Sequence, residues 1–206
     1  MTNERPRRGR PVATSHAEIE QAAFRLFAEH GFAGTTIDAI AAEVGVGRRT
    51  LFRYYQSKND IPWGQFDRTL VTFRAILDGQ PEDVPVYEAV HRSVVEFNKF
   101  PDDAAPPHRD RMRLILTTPE LQAHSVLRYT EWRQVIAGFV ARRTDCPVHG
   151  SLPRTVGHVS LALSLSAYEA WLDDPEVPLT NRLDESMRLL RSYLQTDGGA
   201  MLRTGS

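Results

Sequence analysis

The stretch Ile37–Tyr54, IDAIAAEVGVGRRTLFRY, decides the fold of the first part of this chain. Apolar residues recur at helical spacing on both sides of Gly45, and a glycine supplies the positive φ that a tight turn between two helices needs. These apolar positions are Ile40, Ala41, Val44, Val46 and Leu51. The stretch predicts two short helices that cross at a steep angle. A plain helical hairpin would share this spacing, and the charge of the second helix separates the two interpretations.

The second short helix of this pair is strongly basic. Its segment contains no acid between residues 44 and 59, and its basic residues are Arg48, Arg49, Arg53 and Lys58. Arg48 and Arg49 lie at the N-terminal end, which in a helix-turn-helix points into the major groove, where arginine can donate two hydrogen bonds to guanine. Thr50, Tyr54 and Lys58 suit contacts to phosphates. We therefore predict that this helix reads DNA.

A second basic element, RPRRGRP at residues 5–11, precedes the first helix. Its Arg-Gly-Arg-Pro core resembles an AT-hook, an extended segment that lays arginines along a narrow A·T minor groove, where negative potential is concentrated. We predict minor-groove contacts from Arg8 and Arg10, and a solubilising tail is the alternative. The distribution of charge agrees with a DNA-binding N-terminal part. Residues 1–60 carry nine basic and seven acidic side chains, whereas the rest of the chain carries sixteen basic and nineteen acidic side chains.

The periodic segments of the chain are helical throughout, so we predict an all-α protein of about nine helices. Capping boxes, in which a serine and an acid three residues later cap each other's backbone, open the first and fourth helices at Ser15 and Ser57. Gly31 ends the first helix, and the fourth is expected to reach about Leu77 with a bend at Pro62. Later helices are predicted at 86–100, 106–116, 119–143, 153–172 and 179–195.

The segment from about residue 15 to 61 resembles the signature of the TetR family of transcriptional regulators. The resemblance rests on Gly31-Phe32, Thr35-Thr36-Ile37, Ile40-Ala41, Val44-Gly45-Val46, Thr50 to Tyr55, Ser57-Lys58 and Asp60-Ile61. It implies an all-helical homodimer in which three N-terminal helices bind DNA and a larger C-terminal body binds a ligand and dimerises. By matching positions, it also implies DNA contacts from Thr36, Arg48, Arg49, Thr50, Phe52, Arg53, Tyr54 and Lys58. Whether Arg53 and Tyr54 touch bases or phosphates stays open.

The chain also resembles one branch of this family, the regulators associated with mycofactocin biosynthesis genes. Matching stretches lie at 57–67 (SKNDIPWGQFD), 95–98 (VEFN), 111–116 (RMRLIL), 121–125 (LQAHS) and 167–172 (AYEAWL). The resemblance implies control of a redox-cofactor operon. From the two resemblances together, we expect a ligand-responsive repressor that binds an inverted-repeat operator as a homodimer. A helix-turn-helix adaptor that contacts proteins, and a regulator without a small-molecule effector, are the alternatives.

These features divide the chain into a basic arm at 1–14, a helix-turn-helix domain at 15–61, and a helical effector-binding and dimerisation domain at 62–206. In the last domain, large aromatic residues recur at helical spacing, and packing in a bundle core is the ordinary role of each. Together they permit a ligand pocket between helices. The predicted effector pocket consists of Trp63, Phe66, Phe97, Met112, Leu116, Tyr129, Trp132 and Tyr168.

Such a lining suits a large, mostly apolar effector, and fatty acyl-CoA thioesters are one candidate class; no cofactor is expected. We expect the effector to act by shifting the fourth helix, with Pro62 as the hinge.

Two apolar stripes on the last two helices predict the dimer interface. Their residues are Val156, Val159, Leu163, Leu183, Met187, Leu190 and Leu194. Paired across a two-fold axis, the stripes would form a four-helix bundle, whereas the alternative is that both face the chain's own core. A dimer is expected because symmetric half-sites need two reading heads about one helical turn apart.

Several other classes of protein do not fit the composition. The seven histidines are scattered without ligand spacing, and no phosphate loop or nucleophile motif occurs, so neither a metal site nor catalysis is expected. The single cysteine, Cys146, forms no internal disulfide; we expect a plain loop thiol, with a redox sensor as the alternative. One cysteine, no secretory signal and no apolar run of membrane length predict a cytoplasmic protein without a membrane partner.

Overall fold

The computed structural model describes residues 14–101, 103–174 and 176–195 of the chain. Over these residues it contains nine α-helices, one 3-10 helix and no strand, which confirms the all-α prediction. The α-helices are α1 (His16–Gly34), α2 (Ile37–Glu43), α3 (Arg48–Leu51), α4 (Phe66–Asp78), α5 (Val86–Phe97), α6 (His108–Thr117), α7 (Pro119–Thr144), α8 (Ser151–Asp173) and α9 (Leu179–Gln195). The 3-10 helix is Lys58–Trp63. None of the described helices is long and apolar enough to cross a lipid bilayer.

The capping box predicted at the start of α1 is present. The Glu18 backbone N–H donates to the Ser15 hydroxyl at 3.2 Å, and the Ser15 N–H donates to the Glu18 carboxylate at 2.7 Å. Regular helical geometry is interrupted at Gly31, which has a φ of +72°. The Thr35 hydroxyl then donates to the Gly31 carbonyl at 2.9 Å and fixes the path of the chain into α2.

The helices α2 and α3 form the predicted helix-turn-helix. The Thr36 hydroxyl caps α2 by accepting a hydrogen bond from the Ala39 N–H at 3.1 Å. Gly45 has a φ of +68°, and the Val46 N–H donates to the Ala41 carbonyl at 2.9 Å, which closes the turn. The helix α3 is a single turn, and the chain continues from Leu51 as turns up to Tyr54.

The prediction of one long fourth helix from Ser57 is wrong. The capping box at Ser57 exists, but it opens the 3-10 helix, which contains Pro62. Proline lacks the backbone N–H that a continuing α-helix needs. Gly64, with a φ of +59°, then ends the 3-10 helix, and α4 begins separately at Phe66.

The chain forms two compact units. Among the described residues, the first comprises 14–64 and 103–114, and the second comprises 65–101, 115–174 and 176–195. The sequence placed 103–114 in the effector-binding domain, whereas its contacts lie with the N-terminal helices. One continuous helix, α6, therefore belongs in part to each unit.

Candidate nucleic-acid interface

The basic segment that begins at α3 has an inner and an outer face. Leu51 is fully buried and Tyr55 is buried, and these two side chains anchor the segment in the first unit. The outer face carries exposed side chains of both cationic and aromatic type, which are Arg48, Arg49, Phe52 and Arg53. The burial pattern thus brings the predicted base-reading arginines onto one accessible surface.

Arg48 is held by two neighbours. Its Nη1 lies 3.0 Å from Oδ2 of Asp38 on α2, and its Cζ lies 5.5 Å from the centroid of the Phe52 ring. Arg49 and Arg53 have no acidic partner within the described part of the chain. The three arginines therefore differ in how strongly they are oriented before any DNA arrives.

Two predicted phosphate-contacting residues also hold the first unit together. The Tyr54 hydroxyl donates to the Thr14 carbonyl at 2.5 Å, immediately before α1. The Lys58 ammonium donates to the carbonyls of Phe32 and Thr35 at 2.6 and 2.9 Å, and so closes the end of α1. The sequence indicated neither role, because both contacts are to backbone carbonyls more than twenty residues away.

The other predicted contacts are distributed as follows. Thr36 is exposed at the start of α2, and Thr50 is half-buried beside Leu51. Arg8 and Arg10 lie outside the described residues. The DNA contacts assigned to this whole set remain predictions.

A buried ion pair lies behind this surface, and the sequence did not indicate it. Arg111 of α6 forms a salt bridge with Glu20 of α1, and it also donates to the Pro62 carbonyl at 2.6 Å. The Tyr55 hydroxyl donates to the other carboxylate oxygen of Glu20 at 2.5 Å. Both ionic side chains are mostly buried, with 17% and 11% of their surfaces exposed. The pair joins the recognition segment, α1 and the first half of α6.

Protonation states around the pair suit this arrangement. Burial, reinforced by the hydrogen bond to Glu20, raises the pKa of the Tyr55 hydroxyl, which therefore stays a donor. Burial, together with the positive charge of Arg111, lowers the pKa of His108 to about 3, so this histidine is neutral near pH 7. Gly64 leaves room for the pair, since a Cβ there would lie 3.2 Å from a Glu20 oxygen.

The predicted effector residues divide between the two units. Trp63 and Met112 belong to the first, whereas the other six belong to the second; these are Phe66, Phe97, Leu116, Tyr129, Trp132 and Tyr168. In the second unit, the ring of Phe73 connects two of them, with its centroid 4.5 Å from Phe97 and 5.3 Å from Trp132. The sequence interpretation omitted Phe73 from the pocket, although it is fully buried at the centre of this cluster.

A small cavity lies elsewhere in the second unit, between α5, α8 and α9. It offers about 10 Å³ to the centre of a water molecule, which is room for roughly one water. Its lining residues are Val90, His91, Val94, Ser160, Leu163, Ser164, Leu183 and Met187. This lining contains none of the predicted effector residues.

Part of the predicted dimer stripe is directed inward. Leu163, Leu183 and Met187 line the cavity within their own unit, as the alternative interpretation expected, and Leu183 is buried. Val156 and Leu190 are half-buried. The helix α9 has apolar residues on more than one face, so spacing alone did not show which face is inward. The exposed large apolar residues of α8 and α9 are Leu152, Val159, Leu189, Tyr193 and Leu194.

Comparison with known proteins places the chain in a family. Residues 19–61 match the family described as bacterial regulatory proteins, tetR family, and residues 84–195 match the MftR C-terminal domain. The chain is 45% identical over 175 residues to a protein named as the mycofactocin biosynthesis transcriptional regulator MftR, from Mycobacterium tuberculosis. That alignment covers 85% of this chain and 88% of the relative. The chain belongs to the TetR family.

Solved structures agree with the fold of this TetR-family regulator. The SmeT–triclosan complex has a TM-score of 0.58 at 21% identity, covering 84% of this chain and 90% of that one. The Thermus thermophilus repressor FadR in complex with lauroyl-CoA has a TM-score of 0.54 at 21% identity, covering 93% and 100%. At these identities the likeness shows the fold alone. The matched families and relatives make the protein a DNA-binding transcriptional regulator of the MftR type, and not an enzyme.

Proposed function

We propose that this TetR-family regulator is a cytoplasmic repressor that binds an inverted-repeat operator as a homodimer and releases it on binding a mostly apolar effector. The observation that carries the proposal is the exposed row of Arg48, Arg49 and Arg53 on a segment whose inner face is buried. Arginines held on a rigid element can donate paired hydrogen bonds to guanine, while neighbouring groups contact phosphates.

The basic arm would add minor-groove contacts. Arg8 and Arg10 precede Thr14, whose carbonyl accepts the hydrogen bond of Tyr54 in the recognition segment. Thr14, the first described residue, is therefore tied to the DNA-reading segment. This placement favours DNA contact over a free solubilising tail.

A second copy of the chain would cover the exposed apolar residues of α8 and α9. Leu189 and Tyr193 lie one helical turn apart on α9, and they are 58% and 70% exposed. Apolar surface of this kind is unfavourable in water and is stabilised by burial against a partner. The resulting two-fold symmetry would match an inverted repeat.

Different observations support the proposed target genes and the proposed effector. Identity of 45% to the protein named MftR supports control of mycofactocin biosynthesis genes. An apolar effector is supported by the cluster of Phe73, Phe97 and Trp132, and acyl-CoA is one class because a FadR of the same fold was solved with lauroyl-CoA. Since the cavity between α5, α8 and α9 has room for roughly one water, entry of an effector there would require these helices to separate.

The ion pair of Glu20 and Arg111 offers a route from effector to DNA. Because α6 belongs in part to both units, a displacement of its second half would be carried by the helix to Arg111. Withdrawal of Arg111 would release Glu20, Tyr55 and the Pro62 carbonyl together. This route assigns the switch to α6 and to the 3-10 helix, and it keeps Pro62 at the moving joint.

The test is fluorescence anisotropy with duplexes from upstream of this gene and of mycofactocin genes, at several salt concentrations. We expect binding of two chains per inverted repeat, a steep fall in affinity as salt rises, and release by lauroyl-CoA. Absence of salt-dependent DNA binding would support the adaptor alternative instead. Binding without release by any acyl-CoA tested would leave a DNA-binding regulator and overturn the proposed effector class.

A further inference from the structure

One acidic residue, Asp38, lies beside the arginines that we propose to read bases. The segment from Thr36 to Lys58 contains two acids, Asp38 and Glu43. Glu43 pairs with Arg25 of α1 at 3.0 Å, away from the recognition segment. Asp38 pairs with Arg48 at the same distance, on the exposed face where the base-reading arginines lie.

This pair is not explained by stability. Arg48 and Asp38 are 61% and 62% exposed, and an ion pair in such a position contributes little to folding because water and salt screen it. A carboxylate on a surface that binds phosphates also repels DNA. Asp38 can nevertheless serve α2, as an acid in its first turn, and Arg48, as an orienting partner.

We infer that Asp38 is a specificity-determining residue, which positions Arg48 for one base. The inference rests on the proposed function and deepens it. The carboxylate occupies Nη1 of Arg48, and the Phe52 ring limits the guanidinium from another side. This arrangement leaves the other N–H groups of Arg48 for a bidentate contact to the O6 and N7 of guanine. Asp38 acts through Arg48 and needs no base contact of its own.

The same carboxylate disfavours the competing use of Arg48. A flexible arginine on a DNA surface binds the nearest phosphate and adds affinity for every sequence equally. Fixing the side chain in advance removes this option and reduces the conformational entropy lost on binding. Negative charge beside it also raises the free energy of any pose that brings a phosphate close. Asp38 therefore lowers affinity for all DNA and raises the ratio of specific to non-specific binding.

The test compares Asp38→Asn with Glu43→Gln, which removes the same charge from the same helix. Wild-type protein first selects its preferred duplexes from a random library, and each variant is then measured on these duplexes and on single-base substitutions of them. For Asp38→Asn we expect affinity for unrelated duplex DNA to rise by up to roughly fivefold at low salt. At one guanine position in each half-site we expect discrimination to fall by roughly fivefold or more. Glu43→Gln should leave the base preferences unchanged.

A double-mutant cycle decides whether Asp38 acts through Arg48. Once Arg48→Ala is present, Asp38→Asn should cause no further loss of discrimination at that position. An unchanged base preference in Asp38→Asn, or the same change in Glu43→Gln, would overturn the inference while leaving the proposed function intact. If the wild-type protein selects no sequence, the proposed function itself fails, and the two failures are thus distinct. Because both acids are exposed, equal melting temperatures should confirm that the variants fold.

Discussion

Both units of this regulator have apolar cores, but they differ in the contacts around the elements that we propose to bind DNA and ligand. The first is fixed by polar contacts of defined geometry, among them the ion pair of Glu20 and Arg111 and the bonds from Lys58 to two backbone carbonyls. The second contains a cluster of aromatic rings in which Phe73 stacks on Trp132 and packs at a tilt against Phe97. Hydrogen bonds and ion pairs specify one arrangement, whereas apolar contacts are non-directional and tolerate repacking. These contacts suit the proposed function, in which the first unit matches DNA and the second admits a ligand.

Removing the central ring of the second unit should have the largest effect on stability. Phe73 is fully buried and touches both Phe97 and Trp132, so Phe73→Ala leaves a cavity. We expect the free energy of unfolding to fall by about 3–5 kcal/mol, measured by urea denaturation. Val71→Ala is the matched control, because Val71 is exposed on the same helix. A similar loss from both variants would mean that Phe73 is not the centre of the core.

Breaking the ion pair of the first unit should cost somewhat less. Arg111→Ala leaves the Glu20 carboxylate buried without its cation, and we expect a loss of about 3 kcal/mol. The control is Arg142→Ala, which removes an exposed salt bridge to Asp78 and should change stability by less than about 1 kcal/mol. Equal effects would show that the buried pair contributes no more than a surface pair, which would break the contrast between the units.

Acid should destabilise the first unit through His108. The folded chain holds this histidine neutral with a pKa of about 3, whereas the unfolded chain binds a proton near the ordinary value of 6.5. The unfolded state therefore gains protons first as the pH falls from about 6.5 towards 3, and stability decreases over this window, with a loss of about 1.4 kcal/mol reached at about pH 5.5. Denaturation midpoints of His108→Asn should depend less on pH in this range. An identical pH dependence would contradict the assignment of a neutral His108 in the folded chain.

The smallest of these effects concerns the cap of α1. Ser15→Ala removes the acceptor for the Glu18 N–H, and we expect a loss of about 1 kcal/mol in thermal or urea unfolding. Ser15→Asp, which keeps an acceptor, should restore most of the stability. If alanine and aspartate behave alike, the capping box does not stabilise the helix.

The features that the sequence predicted are formed by residues close together in the chain. The capping boxes, the turn at Gly45 and the basic face of α3 all depend on residues within a few positions of one another, and the structure contains each of them. The break between the 3-10 helix and α4 was missed, because Pro62 alone suggested a bend and the role of Gly64 is visible only in its backbone angle.

Contacts between residues far apart in the chain could not be predicted from the sequence. Glu20 and Arg111 are 91 positions apart, and neither belongs to a motif that indicates a partner. The helix α9 does carry an apolar stripe, but Leu183 is buried within its own unit, whereas Leu189 and Tyr193 are exposed. A helix with two apolar faces does not reveal from spacing which one meets its own chain.

The most direct measurement of the central claim is operator affinity of the double variant Arg48→Ala, Arg49→Ala. Both side chains are exposed, so the fold should persist, and we expect affinity for the selected operator to fall by roughly 100-fold or more. Arg74→Ala, an equally exposed arginine of the second unit, should bind as the wild type does. Unchanged operator binding by the double variant would contradict the assignment of α3 as the DNA-reading element.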